Sequence, residues 1–150
     1  MYAGQKPVFK SVETGELSTN FSGTNLTLAV GNNPDMTLLA GYSVYKVTLG
    51  AANCVLTGMV ADIRNGVAID GQIKTLVNIH ATNSFTITNQ DTNSIVANRF
   101  TTGQGTTLNV GPGESINFLY NSTLGWQVSG GSASEAYASA VAIAMAIVFG

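Results

Sequence analysis

Side chains able to do chemistry are scarce: the 150 residues include one histidine, one cysteine and eight carboxylates. His80 stands in Val77-Asn78-Ile79-His80-Ala81. Nucleophilic catalysis would need that base held by an acid and set beside a hydroxyl or thiol. With 17 threonines and 12 serines in the chain, a hydroxyl near His80 selects nothing, and the histidine reads as a surface or strand-end residue. Zinc would need several Cys or His ligands at set spacings, and Cys54 and His80 are single. Cys54 has no partner for an intrachain disulfide and reads as a small buried hydrophobe. Asp62, Asp70, Asp91 and Glu114 are the carboxylates from which a glycosidase pair would be drawn. Each stands in or beside a turn, where carboxylates make local hydrogen bonds or face water. Thr88-Asn89-Gln90-Asp91-Thr92-Asn93 offers oxygens to calcium but only one carboxylate. Gly103-Gln104-Gly105 lacks the Lys-Ser/Thr and the following helix of a phosphate loop. The reading is a non-enzymatic chain with no catalytic residue, metal site or cofactor.

Aromatic side chains are the other candidates. Tyr42, Tyr120 and Trp126 would be the natural members of a glycan-facing platform. Tyr120 and Trp126, however, lie in alternating segments, where an aromatic is more often core.

The elements that must position these residues follow a period of two. Leu26, Leu28 and Val30 alternate with Thr27 and Ala29; Tyr45, Val47 and Leu49 alternate with Lys46 and Thr48. Ile73 to Ile79, Phe85-Thr86-Ile87, Ile116 to Tyr120 and Trp126-Gln127-Val128 continue the pattern. Such runs, rich in Val, Ile, Thr and aromatics, fit half-buried strands. Between them stand turn sequences: Gly31-Asn32-Asn33-Pro34-Asp35, Asn65-Gly66, Asp70-Gly71 and Gly111-Pro112-Gly113-Glu114. Strand candidates recur about every 10–15 residues, so the expected fold is all-β, an antiparallel β-sandwich or jelly roll of about nine or ten short strands.

Charged residues make up 9% of the chain, against roughly 25% in an ordinary domain. That excludes a charged helical bundle, and a net charge of −2 with six basic residues excludes the basic footprint needed to displace counterions from nucleic acid. A surface so poorly charged favours association. The expected organisation is an N-terminal arm (1–12), a sandwich domain (13–130) and an apolar C-terminal segment (131–150). Ser129-Gly130-Gly131-Ser132-Ala133-Ser134 has the composition of a flexible joint. Beyond it, Val141, Ile143, Met145, Ile147 and Phe149 stand at alternate positions, with Ala140, Ala142, Ala144 and Ala146 between them. A strand places those five side chains on one face, whereas a helix scatters them. The apolar stretch is shorter than the ~20 residues of a membrane span, and the first residues lack the layout of a signal peptide, so no membrane or export is expected.

One stretch is similar to a known module. Phe85-Thr86-Ile87-Thr88-Asn89-Gln90-Asp91-Thr92, Ala97-Asn98-Arg99-Phe100-Thr101-Thr102-Gly103, Leu108-Asn109-Val110-Gly111-Pro112-Gly113-Glu114-Ser115, Phe118-Leu119-Tyr120-Asn121-Ser122-Thr123 and Gly125-Trp126-Gln127-Val128 together resemble a β-module of tailed-bacteriophage virion structural proteins. The resemblance covers roughly residues 75–128, through turn-and-strand patterns and no catalytic signature. It implies a virion structural role, often as a homotrimer, in the tail or on the capsid. With no heptads or collagen-like repeat to build a shaft, a capsid decoration (cement) protein on the capsid surface fits better than a tail-fibre or baseplate adhesin recognising a host glycan. The expected partners are other copies of the chain and the major capsid protein. The expected contact residues are Tyr2, Val8 and Phe9 at the N-terminus and Val141, Ile143, Met145, Ile147 and Phe149 at the C-terminus, because termini and sheet edges can add strands to a partner.

Overall fold

The computed structural model describes residues 24–103, 105–131 and 133–135. The expected contact residues Tyr2, Val8, Phe9, Val141, Ile143, Met145, Ile147 and Phe149 lie outside the described residues.

The chain repeats one path. A first pass runs through β1 (Thr24–Leu28), β2 (Gly31–Asn33) and β3 (Met36–Thr37), and a second through β4 (Val44–Leu49), β5 (Cys54–Leu56) and β6 (Met59–Val60). A small hairpin, β7 (Ile63–Arg64) and β8 (Val67–Ala68), precedes the third pass, β9 (Ile73–Asn78) and β10 (Phe85–Ile87). Each pass lies parallel to the one before: Leu26 stands opposite Val47, Gly31 opposite Cys54, Met36 opposite Met59, Tyr45 opposite Leu76 and Cys54 opposite Phe85. The three passes therefore stack as coils of a short solenoid.

A 3-10 turn (Val96–Asn98) and β11 (Phe100–Thr101) then lead to a fourth pass in the reverse sense, β12 (Leu108–Val110) into β13 (Ser115–Asn121), and β14 (Gly125–Gly131) into β15 (Ser134–Glu135) reverses again. One sheet has the order β1-β4-β9-β13-β14-β11 and the other β2-β5-β10-β12-β15. The passes follow the same order in both because each strand pair turns a corner from one sheet into the other.

The fold is thus all-β, with two sheets sharing one core. The pairing is mixed, which corrects the expectation of antiparallel sheets. Alternation with period two reports which face is buried and is silent on strand direction. Direction here follows from the corners: a chain that bends into the second sheet and loops back re-enters the first sheet in its original sense. The described residues form 15 strands, several of two residues, because the bends cut each path into short pieces. The Gly/Ser joint expected at 129–134 is also revised. Gly130 and Gly131 pair with Asn117 and Ile116, and Ser134 pairs with Asn109.

Leu26, Leu28, Val47, Leu76, Ile116, Phe118 and Trp126 from one sheet meet Cys54, Leu56, Phe85, Ile87 and Val110 from the other in a single apolar cluster. One strand inverts its sequence pattern. Alternation from Ile73 to Ile79 would turn the odd-numbered residues inward, yet β9 buries Lys74, Leu76 and Asn78 and exposes Ile73.

Candidate functional site

Lys74 is the most unusual consequence of that inversion. Its side chain is 3% exposed, and the ammonium donates to Asp62 Oδ2 at 2.6 Å, to the Tyr42 carbonyl at 2.6 Å and to the Tyr45 hydroxyl at 3.2 Å. Tyr45 in turn donates to the carbonyls of Leu39 and Tyr42, each at 2.8 Å. Burial, then the Asp62 charge, then Tyr42 push the Tyr45 phenol far above its ordinary value. The ammonium has its three donors satisfied within the protein. The cluster ties the 38–43 loop and the 61–72 loop to the third pass.

The carboxylates named from the sequence are also spoken for. Asp70 accepts from the Ser122 amide and hydroxyl, Asp91 from the Asn93 amide and side chain, and Glu114 from the Gly111 amide across the Pro112-Gly113 turn. His80 Nδ1 accepts from the amides of Thr82 and Asn83 and so closes the third corner. Asp35, which the sequence did not single out, accepts from the Ile95 amide and from Asn98 Nδ2 and pins the 3-10 turn to the end of the first pass. Its sequence signal is the Pro34-Asp35 turn. No three His, Cys, Asp or Glu side chains come together as metal ligands among the described residues, and no described helix is long and apolar enough to cross a membrane.

The glycan platform is overturned for two of its members. Trp126 is fully buried, donating Nε1–H to the Met59 carbonyl at 2.8 Å, and Tyr120 is packed edge-on against it with ring centroids 5.0 Å apart. Phe118 and Phe100 continue the stack, with centroids 4.9 Å apart. Tyr42 is half-buried against the core. The structure therefore gathers Tyr120, Trp126, Phe118 and Phe100 into core packing, with Tyr42 at its margin.

Exposed apolar side chains are spread over the described surface, Val30, Ile79, Ile95 and Val96 among them, and six more lie on or beside loops that hydrogen bonds join. These six are Leu39, Ile63, Val67, Ile69, Ile73 and Leu124. They sit on the 38–43 loop, on the 61–73 segment with its hairpin, and on the turn between β13 and β14. Hydrogen bonds join those loops. Lys74 links Tyr42 to Asp62, the Gln72 side chain bonds Asp62 and Ile69, and Gly71 and Asp70 bond Tyr120 and Ser122. Alternation did not reveal this surface, since five of its six members belong to loops or to a hairpin of two-residue strands. Among the described residues the outer strands are the second interaction feature: β1 and β2 flank one end of the stack, and β15 is the outer strand of the second sheet. Compared with protein-family models, curated proteins and solved structures, the chain matches none.

Proposed function

We propose that this chain is a structural subunit of a tailed-phage virion, a decoration protein that binds the assembled capsid surface and stabilises it. The observation that carries the reading is the set of exposed apolar side chains on the joined loops. Ile63 is 63% and Val67 67% exposed, and large apolar side chains exposed on hydrogen-bonded neighbouring loops are the kind of surface that another protein covers. The loops that carry it are braced from within by a buried ion pair, so the surface is presented on a rigid support. A charge-poor composition and the resemblance of residues 75–128 to phage β-modules point the same way. Burial of Tyr120 and Trp126 leaves the adhesin reading without its aromatic platform.

The mechanism is mass action. A subunit that binds assembled capsid protein and not its dispersed form stabilises the shell by RT ln(1 + [L]/Kd) per site. Symmetric self-association, as a trimer, multiplies the contacts made at each junction between capsid subunits. Co-sedimentation with intact heads tests this. The wild-type protein is expected to pellet with heads in many copies, and the Ile63→Asp/Val67→Asp variant to remain in the supernatant while keeping its fold. Wild-type protein left in the supernatant, or a variant that still pellets, overturns the proposal.

A further inference from the structure

Among the described residues the core is incompletely closed at the end of the stack where the last pass lies. Thr102, Leu108, Ile116, Val128 and Ala133 line a mixed, mainly apolar cleft of about 160 Å3, with Gly130 and Gly131 in its wall. An apolar cavity of ~150 Å3 takes a benzene ring, so this one has room for one side chain of the size of Ile or Phe. Beside it runs β15, the outer strand of its sheet. The described chain leaves β15 at Glu135, opposite Leu108 in the cleft wall.

The sequence downstream supplies a matching occupant. Residues 140–149 carry no charge and place Val141, Ile143, Met145, Ile147 and Phe149 at alternate positions, with Ala between them except for Val148, so as a strand they present one large apolar face and one that is small except at Val148. Folding back onto β15 of the same chain would require a tight reversal. Between Ala136 and Phe149 there is no Gly, Pro, Asn or Asp, and Ser139 is the one residue of a turn-forming type, so the sequence gives such a reversal little support. One cleft also holds only one of five large side chains, so most of that face needs further cover.

We propose that residues 141–149 of one copy add as a strand to the β15 edge of a second copy and seat a large side chain in its cleft, a strand exchange between identical chains. This inference stands on the fold and does not require binding to a capsid. Light scattering after gel filtration tests it on the full chain without any shell present. Wild-type protein is expected to be oligomeric. Ala133→Phe fills the cleft, and Ile143→Asp/Ile147→Asp spoils the strand that enters it; each variant alone is expected to lose the oligomer with unchanged circular dichroism. Mixed together, they are expected to recover a 1:1 pair, because one retains the strand and the other the cleft. The segment variant changes only residues outside the described fold, so it remains decisive if Ala133→Phe is unstable. A monomeric wild type, an oligomer that survives the segment variant, or a mixture of folded variants that fails to pair overturns the proposal.

Discussion

Removing the partner of Lys74 is the sharpest test of how the joined loops are held. Asp62 supplies the one full negative charge on the ammonium of a 3% exposed side chain, while the other two acceptors are a carbonyl and a phenol. Breaking a buried pair by deleting one member costs about 3–5 kcal/mol. Asp62 is itself 18% exposed, so water can partly replace it, and the lower end, about 3 kcal/mol, applies to Asp62→Ala. Asp62→Asn keeps an oxygen acceptor but no charge. Because a charge-assisted bond is roughly twice as strong as a neutral one, about half that loss, ~1.5 kcal/mol, is expected. Lys74→Met removes the buried charge and retains the aliphatic stem. It leaves Asp62 near water and the Tyr42 carbonyl still bonded by Tyr45, so a cost of about 1 kcal/mol is expected, below that of Asp62→Ala. Urea unfolding, read as midpoint and slope, gives the ranking directly. If Asp62→Ala lies within about 0.5 kcal/mol of wild type, or if Lys74→Met is the more damaging change, the ammonium is not held as a buried ion and the bracing argument fails.

Other perturbations probe separate parts of the fold. Burial, reinforced by the Asp62 charge and by Tyr42, keeps the Tyr45 phenol protonated in the folded chain, whereas the unfolded chain ionises it near the ordinary value of 10.0. The unfolded state therefore binds fewer protons above pH 10, and stability falls there by about 1.4 kcal/mol per pH unit for each such tyrosine. Tyr120 is raised in the same sense, by burial and then by Asp70, so urea titrations above pH 10 are expected to show a shallower decline in Tyr45→Phe, and an unchanged slope refutes the assignment. Gly125 has φ +73, and a Cβ there would lie 2.6 Å from the Arg99 carbonyl; Gly125→Ala is expected to cost about 3 kcal/mol. Gly66 has φ +79 with open space around it, so Gly66→Ala should cost only about 1 kcal/mol, and equal thermal shifts would contradict this contrast. Asn33→Ala removes four hydrogen bonds from a buried side chain and is expected to cost about 2–3 kcal/mol. The exposed neighbour Asn32→Ala should fall within about 0.5 kcal/mol of wild type by the same denaturant assay.

The strands themselves were legible where both rules of alternation agreed. Leu26, Leu28, Tyr45, Val47, Ile116 and Phe118 are buried as their spacing requires. β9 was misread because hydrophobicity outvoted geometry: Ile73, Val77 and Ile79 share a parity, but Leu76 packs inward from the other one and carries Lys74 and Asn78 with it. A buried lysine is stable only with a charge and acceptors around it, and those partners come from Tyr42, Tyr45 and Asp62, in other passes or loops. Nothing local to residue 74 announces them. Strand direction was illegible for a related reason. It depends on where the chain bends, and the bends are made by residues that also serve in ordinary turns.

Those bends explain the part of the composition that reads most ambiguously. Fourteen asparagines suggest solvated turns and strand surfaces, yet Asn33 and Asn78 are buried at corners. Asn33 accepts from the Ala29 amide and donates to the carbonyls of Ala29, Gly31 and Val55, so one side chain closes the first corner and ties it to the second pass. Asn78 does the equivalent at the third corner, donating to the Asn83 and Val110 carbonyls and accepting from the His80 amide. At the second corner Cys54 takes the inner position, its thiol directed to the carbonyls of Leu28 and Ala51. Where a strand leaves one sheet for the other, ladder bonds are interrupted and backbone groups are stranded inside the core. An amide side chain, with donors and an acceptor on a short stem, satisfies them without introducing charge. A chain built from such corners uses Asn in place of Lys and Glu, and the scarcity of charge then follows from its architecture as well as from its surface.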